Sequence, residues 1–428
     1  MSRFSKTELI IFAVAVVLIG VGVLFFAGVI SPGKKERAPV TVWGSLPASW
    51  LKNVLSAINA DRSQQTVSLA YAEHAASAIE SDLLNAVARG DGPDIWLLPH
   101  TFVAKHADKI IPLGAQFISP RAFRETFIDG ASLVTRGESA LAVPLIADPL
   151  VLYWNRDLFR NAGLTNAPAT WDEFLMFSRR LTQPGANQTF RQSGAALGEA
   201  NNVPHAKNIL ALLVLQTGNP VVDSATRRVT LMQQGSALLS PGESALRFFT
   251  DFSNPDNAAY AWNSAQSRAD AAFVAGKLAM YIGQASEYRS LREQNPHLAL
   301  DVAQMPQIRD GAIFATYADM FGFAILQSSK NPQAAWQAIL LLTNQAAAAS
   351  VSGQSGLPPM RKDLLRQDPA DPVQSVFWRA AIQSRAWLDP RPDTATTLFA
   401  DAVRAVNSGA KSANRAASDL VSQLQQLY

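Results

Sequence analysis

Two α/β lobes on doubly wound sheets, preceded by one apolar helix, are what this sequence predicts. Three observations lead there. Strand and helix patterns alternate from Val40 onward, which favours parallel strands covered on both faces. The 428 residues exceed what one compact core holds and suit two. The stretch Ala147–Thr182 runs strand, helix, turn and helix without a break.

The chain opens on Leu9–Ile30, 22 residues without a charge. At about 1.5 Å per residue they reach roughly 33 Å, enough for a bilayer core of about 30 Å. A secretory signal has an apolar core of only about 7–15 residues. Residues 1–37 therefore read as an uncleaved signal anchor with a transmembrane helix over 9–30; cleavage after Ala27 is the alternative. Basic residues flank the run on both sides, so charge alone does not orient it.

Past the anchor, Val40–Trp43 reads as a strand and Trp50–Ala60 as a helix with Trp50, Val54, Leu55 and Ile58 on one side. Thr66–Glu73 is the next strand, and Ser77–Ala88 a helix with Ile79, Leu83 and Val87 four apart. The turn Gly90–Pro93 leads into the strand Asp94–Leu98. In a doubly wound sheet ligands sit at the carboxyl ends of strands, here near Trp43–Leu46, Glu73–His74 and Leu98–Thr101. Leu150–Tyr153 is a strand feeding a helix capped by Asn155 and ended by Gly163. A second helix opens at Thr170 with Glu173 set for a capping box. Helices are expected around Ile209–Leu215, Glu243–Phe252 and Asp270–Gly276, then a strand at Leu278–Ile282.

Composition narrows the chemistry. The formal charge of +3 comes wholly from residues 1–37, with five basic and two acidic side chains. The neutral body gives no reason to expect nucleic acid. With no cysteine there are no disulfides, no thiol catalysis, no Cys-zinc site and no lipid-modified cysteine. The five histidines lack the spacing of a helical metal site, and the usual hydrolase and nucleotide-binding motifs are missing, so neither a metal nor a cofactor is expected. What remains is aromatics with hydrogen-bonding groups, a combination suited to sugars: a ring faces the C–H side, and Asp, Asn and Gln bond the hydroxyls. Trp43, Trp262, Tyr281, Tyr317, Phe321 and Trp387 fall at predicted loops or strand ends, whereas Trp171 and Trp336 lie within helices and read as core. Ser45, Glu73, His100, Asn201, Asn202, Gln284 and Asp319 complete the polar candidates.

Specific motifs then point to a family. ADPLVLYWNRDLFRNAGL followed by PATWDEF, and AAFVAGKLAMYIGQ, resemble the signatures of family 1 extracellular solute-binding proteins, the receptors of ABC importers. Ala303–Ile308, Met320–Leu326, SGLPPMRKDL and the helical tail follow in the family's order, so the resemblance covers roughly residues 40–428. It implies a periplasmic-binding-protein-like fold of type II with three hinge crossings. Lobe one would take 40–147 and 305–357, lobe two 148–304 and 358–428. It implies an exported body, an ABC permease as partner, a carbohydrate as solute, and binding rather than catalysis. A sensor or adhesion subunit and an anchored glycan hydrolase are the rival readings. By the same resemblance Asp148 stands where maltodextrin-binding members place a cleft carboxylate. Ser286 replaces the tryptophan of their GPW motif, and Leu98 and Thr101 stand where they carry a tryptophan and an aspartate.

Overall fold

The computed structural model describes residues 14–15 and 37–428, apart from 62, 64–65, 187–188, 234–237 and 312. The apolar run Leu9–Ile30 lies outside these residues except for Val14 and Ala15. Among the described residues no helix is long and apolar enough to cross a membrane.

Among the described residues twelve strands follow in order: β1 (Ala38–Gly44), β2 (Val67–Glu73), β3 (Ile95–Pro99), the short β4 (Thr135–Arg136) and β5 (Ser139–Ala140), β6 (Val143–Asn155), β7 (Gln183–Pro184), β8 (Phe190–Ala195), β9 (Leu278–Gln284), β10 (Leu300–Ala303), β11 (Thr316–Ile325) and β12 (Ser384–Arg385). Ten of them form one sheet in the order β2-β1-β3-β11-β6-β9-β8-β7, with β10 on β6 and β12 on β11.

Two long strands tie the halves of this sheet together. β6, VPLIADPLVLYWN, is buried along all 13 residues, so its pattern is a continuous apolar run rather than an alternation. Its first part, Val143–Pro149, pairs with β11; its second, Leu150–Trp154, pairs with β9. β11 in turn pairs with β3 through Phe321–Ile325. The sheet is therefore mixed. Parallel pairing is found in β2-β1-β3 and β8-β9, where helices supply the crossovers, and in the short β12 on β11. β6 and β11 run antiparallel to each other, β11 antiparallel to β3 and β6 antiparallel to β9. Their mutual approach is close: a Cβ on Gly322 would lie 2.8 Å from the Val143 carbonyl oxygen, so only glycine fits at that bulge.

Helix boundaries follow their caps. Asn155 accepts from the amides of Asp157 and Leu158 to open the helix Arg156–Asn161, and Gly163 beyond it takes φ +67°. Thr170 accepts from the Glu173 amide to open Trp171–Leu181, while the Glu173 carboxylate reaches back to the Ala169 amide. The indole of Trp171 then donates to Gln216, whose amide donates to the carbonyls of Pro306 and Ala315. That buried chain holds the segment leading into β11 against the second half of the molecule. The terminal helices Pro392–Asn407 and Ala413–Gln425 pack on Ala206–Leu215 and Pro241–Asp251 in the same half.

Candidate functional site

The crossing strands set the floor of the site. Asp148 in β6 and Asp319 in β11 are direct register partners, which puts two carboxylates where the halves join. Asp148 is 6% exposed, and its Oδ1 accepts from the Ser286 amide at 2.9 Å. Burial pushes its pKa up to about 7 and the charges of Asp319 and Glu287 add to that, against the pull of the Ser286 hydrogen bonds. Asp319 is more open and accepts from the Gln284 amide.

Above this floor lies a cavity of about 370 Å³ lined by Thr101 from the first half, Tyr317 and Asp319 from β11, and Asn201, His205, Lys207, Arg268 and Phe399 from the second. Each basic residue has a carboxylate beside it. His205 Nε2 meets Glu287 at 2.6 Å, Lys207 Nζ donates to Asp389 at 3.1 Å, and Arg268 Nε donates to both Asp270 oxygens. Burial works against a charge on His205, but the Glu287 hydrogen bond and charge outweigh it and raise its pKa above the usual value. Glu287 also accepts from the Tyr281 hydroxyl and the Gln284 amide; burial opposes its charge, yet His205 and these donors hold its pKa low.

The sequence candidates divide sharply against this geometry. Thr101, Asn201, Tyr317 and Asp319 line the cavity. Gln284 sits behind Asp319 and Asp148 lies beneath, outside the lining. Tyr281 is buried against Glu287, and burial raises its pKa. Ser286 is exposed and lines a separate cavity of about 480 Å³ with Tyr288, Arg289 and Phe377. His100 is 1% exposed; its Nδ1 accepts from the Met320 amide, and burial lowers its pKa. Leu98 and Phe321 border a small apolar void beside it. Trp262 is fully buried, its indole donating to Asn202, whose amide holds the carbonyls of Asn263 and Gln266. Trp387 is buried beneath Lys207, whose Nζ lies 6.0 Å from its ring centre. Glu73 caps the helix Ala48–Ala60 by accepting from the Ala48 amide at 2.7 Å. Trp43 stays half-buried at the carboxyl end of β1, its ring 4.3 Å from that of His74, with Ser45 two residues on.

Sequence reasoning missed His205, Lys207, Arg268, Glu287 and Phe399. They come from four separate segments and form no local motif; the candidates Asn201 and Asn202, just before His205, were the one nearby signal. Among the described residues no group of three or more His, Asp or Glu side chains is placed to hold a metal ion.

A two-half α/β fold with its cavity at the crossing strands is the architecture of a binding protein, and comparison agrees. The chain belongs to the bacterial extracellular solute-binding protein family, matched over residues 43–349. A protein of Brucella abortus (strain 2308) named only as a binding protein is 24% identical over 247 residues, 58% of this chain; the chain spans 56% of that relative's length. Among solved structures, a cyclo/maltodextrin-binding protein complexed with maltotetraose superposes with a TM-score of 0.75 at 20% identity, covering 93% of this chain and 98% of that one. A cyclic α-maltosyl-1,6-maltose binding protein from Arthrobacter globiformis gives 0.77 at 18% identity, covering 91% and 99%. An ABC substrate-binding protein from Listeria monocytogenes in complex with cycloalternan gives 0.70 at 15%, covering 91% and 99%. At these identities the likeness is one of fold.

Proposed function

We propose that this protein is an extracytoplasmic receptor that captures a saccharide in the cavity between its two lobes and delivers it to an ABC permease. One observation carries the reading: the cavity at the crossing strands draws its lining from both halves, so closing the lobes would enclose a solute. The family and the saccharides named for the structural neighbours support it. Thr101, Asn201, Tyr317 and Asp319 are the direct contacts in this reading, with Trp43 and His74 as a stacking surface on lobe one; Asp148 acts through the hinge. Lobe one takes about 40–147 and lobe two begins at Asp148. β11 carries the second crossing at Ala318–Met320, downstream of Met305, because Gln216 keeps Pro306 and Ala315 on lobe two. The third crossing follows Leu357. The uncharged run Leu9–Ile30 supports anchoring of the body to the outer face of the membrane as a single-pass protein. Binding, without catalysis or cofactor, is the whole activity.

The test is a thermal-shift screen of oligosaccharides, polyols and peptides, followed by X-ray scattering with any hit. A ligand at 100 times its dissociation constant stabilises by about 2.7 kcal/mol and should shrink the radius of gyration. Stabilisation by peptides alone, or an unchanged radius at saturation, would overturn the reading.

A further inference from the structure

The cavity's hydrogen-bonding capacity is lopsided. His205 takes a left-handed φ of 58° and turns the chain into the helix Ala206–Leu215 without a side-chain cap. Among the described residues the amides of Ala206, Lys207 and Asn208 consequently have no acceptor, and a helix N-terminus favours negative charge. Among the described residues Arg268 spends only Nε, on Asp270, and its two terminal amino groups meet no acceptor. Among the described residues Lys207 spends two of its three protons, on Asp389 and the Pro392 carbonyl, and His205 Nδ1 has no partner. A second observation is independent of the helix. Tyr317 is 2% exposed and lines the same cavity, yet its hydroxyl makes no hydrogen bond among the described residues. Against these donors Asp319 is the one carboxylate among the described residues of the lining; the other side-chain acceptors, on Thr101, Asn201, Asn208 and Thr396, each bring a donor of their own.

We infer that the solute carries an anionic group, the carboxylate of an acidic saccharide or a phosphate ester on a sugar, seated against the first turn of Ala206–Leu215 between Lys207, Arg268 and Tyr317. This inference rests on the saccharide reading above and sharpens it. A sugar hydroxyl brings a donor with every acceptor, so neutral sugars would leave much of this wall unsatisfied. A carboxylate offers about four acceptor sites and no donor. The carboxylates behind His205, Lys207 and Arg268 fix the basic heads in place, so little side-chain freedom is lost on binding. Asp319 sets orientation: it accepts hydroxyls of the neutral part and repels an anion turned the wrong way.

The experiment uses the full-length chain in detergent and calorimetric titration with matched pairs: oligogalacturonate against its neutral galactose counterpart, glucuronate-bearing oligosaccharides against glucose oligomers, and glucose 6-phosphate against glucose. The expected result is an acidic member at least tenfold tighter than its partner, with affinity falling as salt rises. Arg268 is exposed enough for Arg268→Gln to fold normally, and this variant should lose about tenfold for the acidic member only. The carboxylate and phosphate arms tell the two sources apart. Neutral members binding as tightly as acidic ones, or an Arg268→Gln loss equal for both, would overturn the anionic inference and leave the saccharide reading standing. No saccharide of either kind binding would overturn both.

Discussion

Replacing Asp148 by asparagine should make the protein more stable at alkaline pH and not at acid pH. The unfolded chain gives up this proton near 3.8, whereas the buried group holds it to about 7. Between those values the folded state carries a proton the unfolded state lacks, so stability falls as pH rises and the loss is complete above about pH 8. A difference of roughly three units is on the order of 4 kcal/mol at 1.36 kcal/mol each. Asp148→Asn abolishes this cost while its Oδ1 keeps the Ser286 amide. The new amide N–H groups, where unpaired, cost about 1–3 kcal/mol, which leaves a net gain of about 1–3 kcal/mol. For a chain of this size that is about 1–3 °C in Tm at pH 8.5. At pH 4.5 the wild-type acid is already neutral in the fold, so the gain should vanish or reverse. Thermal unfolding of both proteins across pH 4.5–8.5 measures the difference. An equal Tm change at the two ends would refute the argument, because a group that titrates in the fold cannot be pH-blind.

Two other measurements reach separate parts of the molecule. Asn202→Ala leaves the fully buried Trp262 indole without an acceptor and two carbonyls without a donor, so it should destabilise by about 2–3 kcal/mol in denaturant unfolding with little change in ligand affinity; an unchanged midpoint would place Asn202 outside the packing argument. If the uncharged run Leu9–Ile30 is a retained anchor, mass spectrometry of the membrane fraction should recover peptides from residues 1–37 on the mature chain, whereas a soluble product starting near Val29 would show removal.

Local chemistry was legible because its causes are local. Asn155, Gly163 and Thr170 mark helix ends through bonds to residues two or three positions away, and the structure has those caps. β6 was legible only as Leu150–Tyr153. Its first part is equally apolar, but periodicity does not separate a buried strand from other buried chain, and the prolines at 144 and 149 argue against one. Pro149 falls where the strand changes partners, from β11 to β9, and Pro144 sits at the bulge opposite Gly322.

By itself the sequence determined the α/β class, the order of elements, the family signature at Ala147–Thr182 and the absence of cysteine chemistry. It also placed Thr101, Asn201, Tyr317 and Asp319 among the candidates, since they sit at strand ends or next to recognisable turns. Tertiary structure alone decided that Trp262 and Trp387 are core, because an aromatic in a loop packs wherever the rest of the chain covers it. It alone brought His205, Lys207 and Arg268 to one wall with carboxylates from residues 270, 287 and 389 behind them. Those contacts join residues up to 182 positions apart, and no local pattern encodes a distance that only the folded sheet and its terminal helices create.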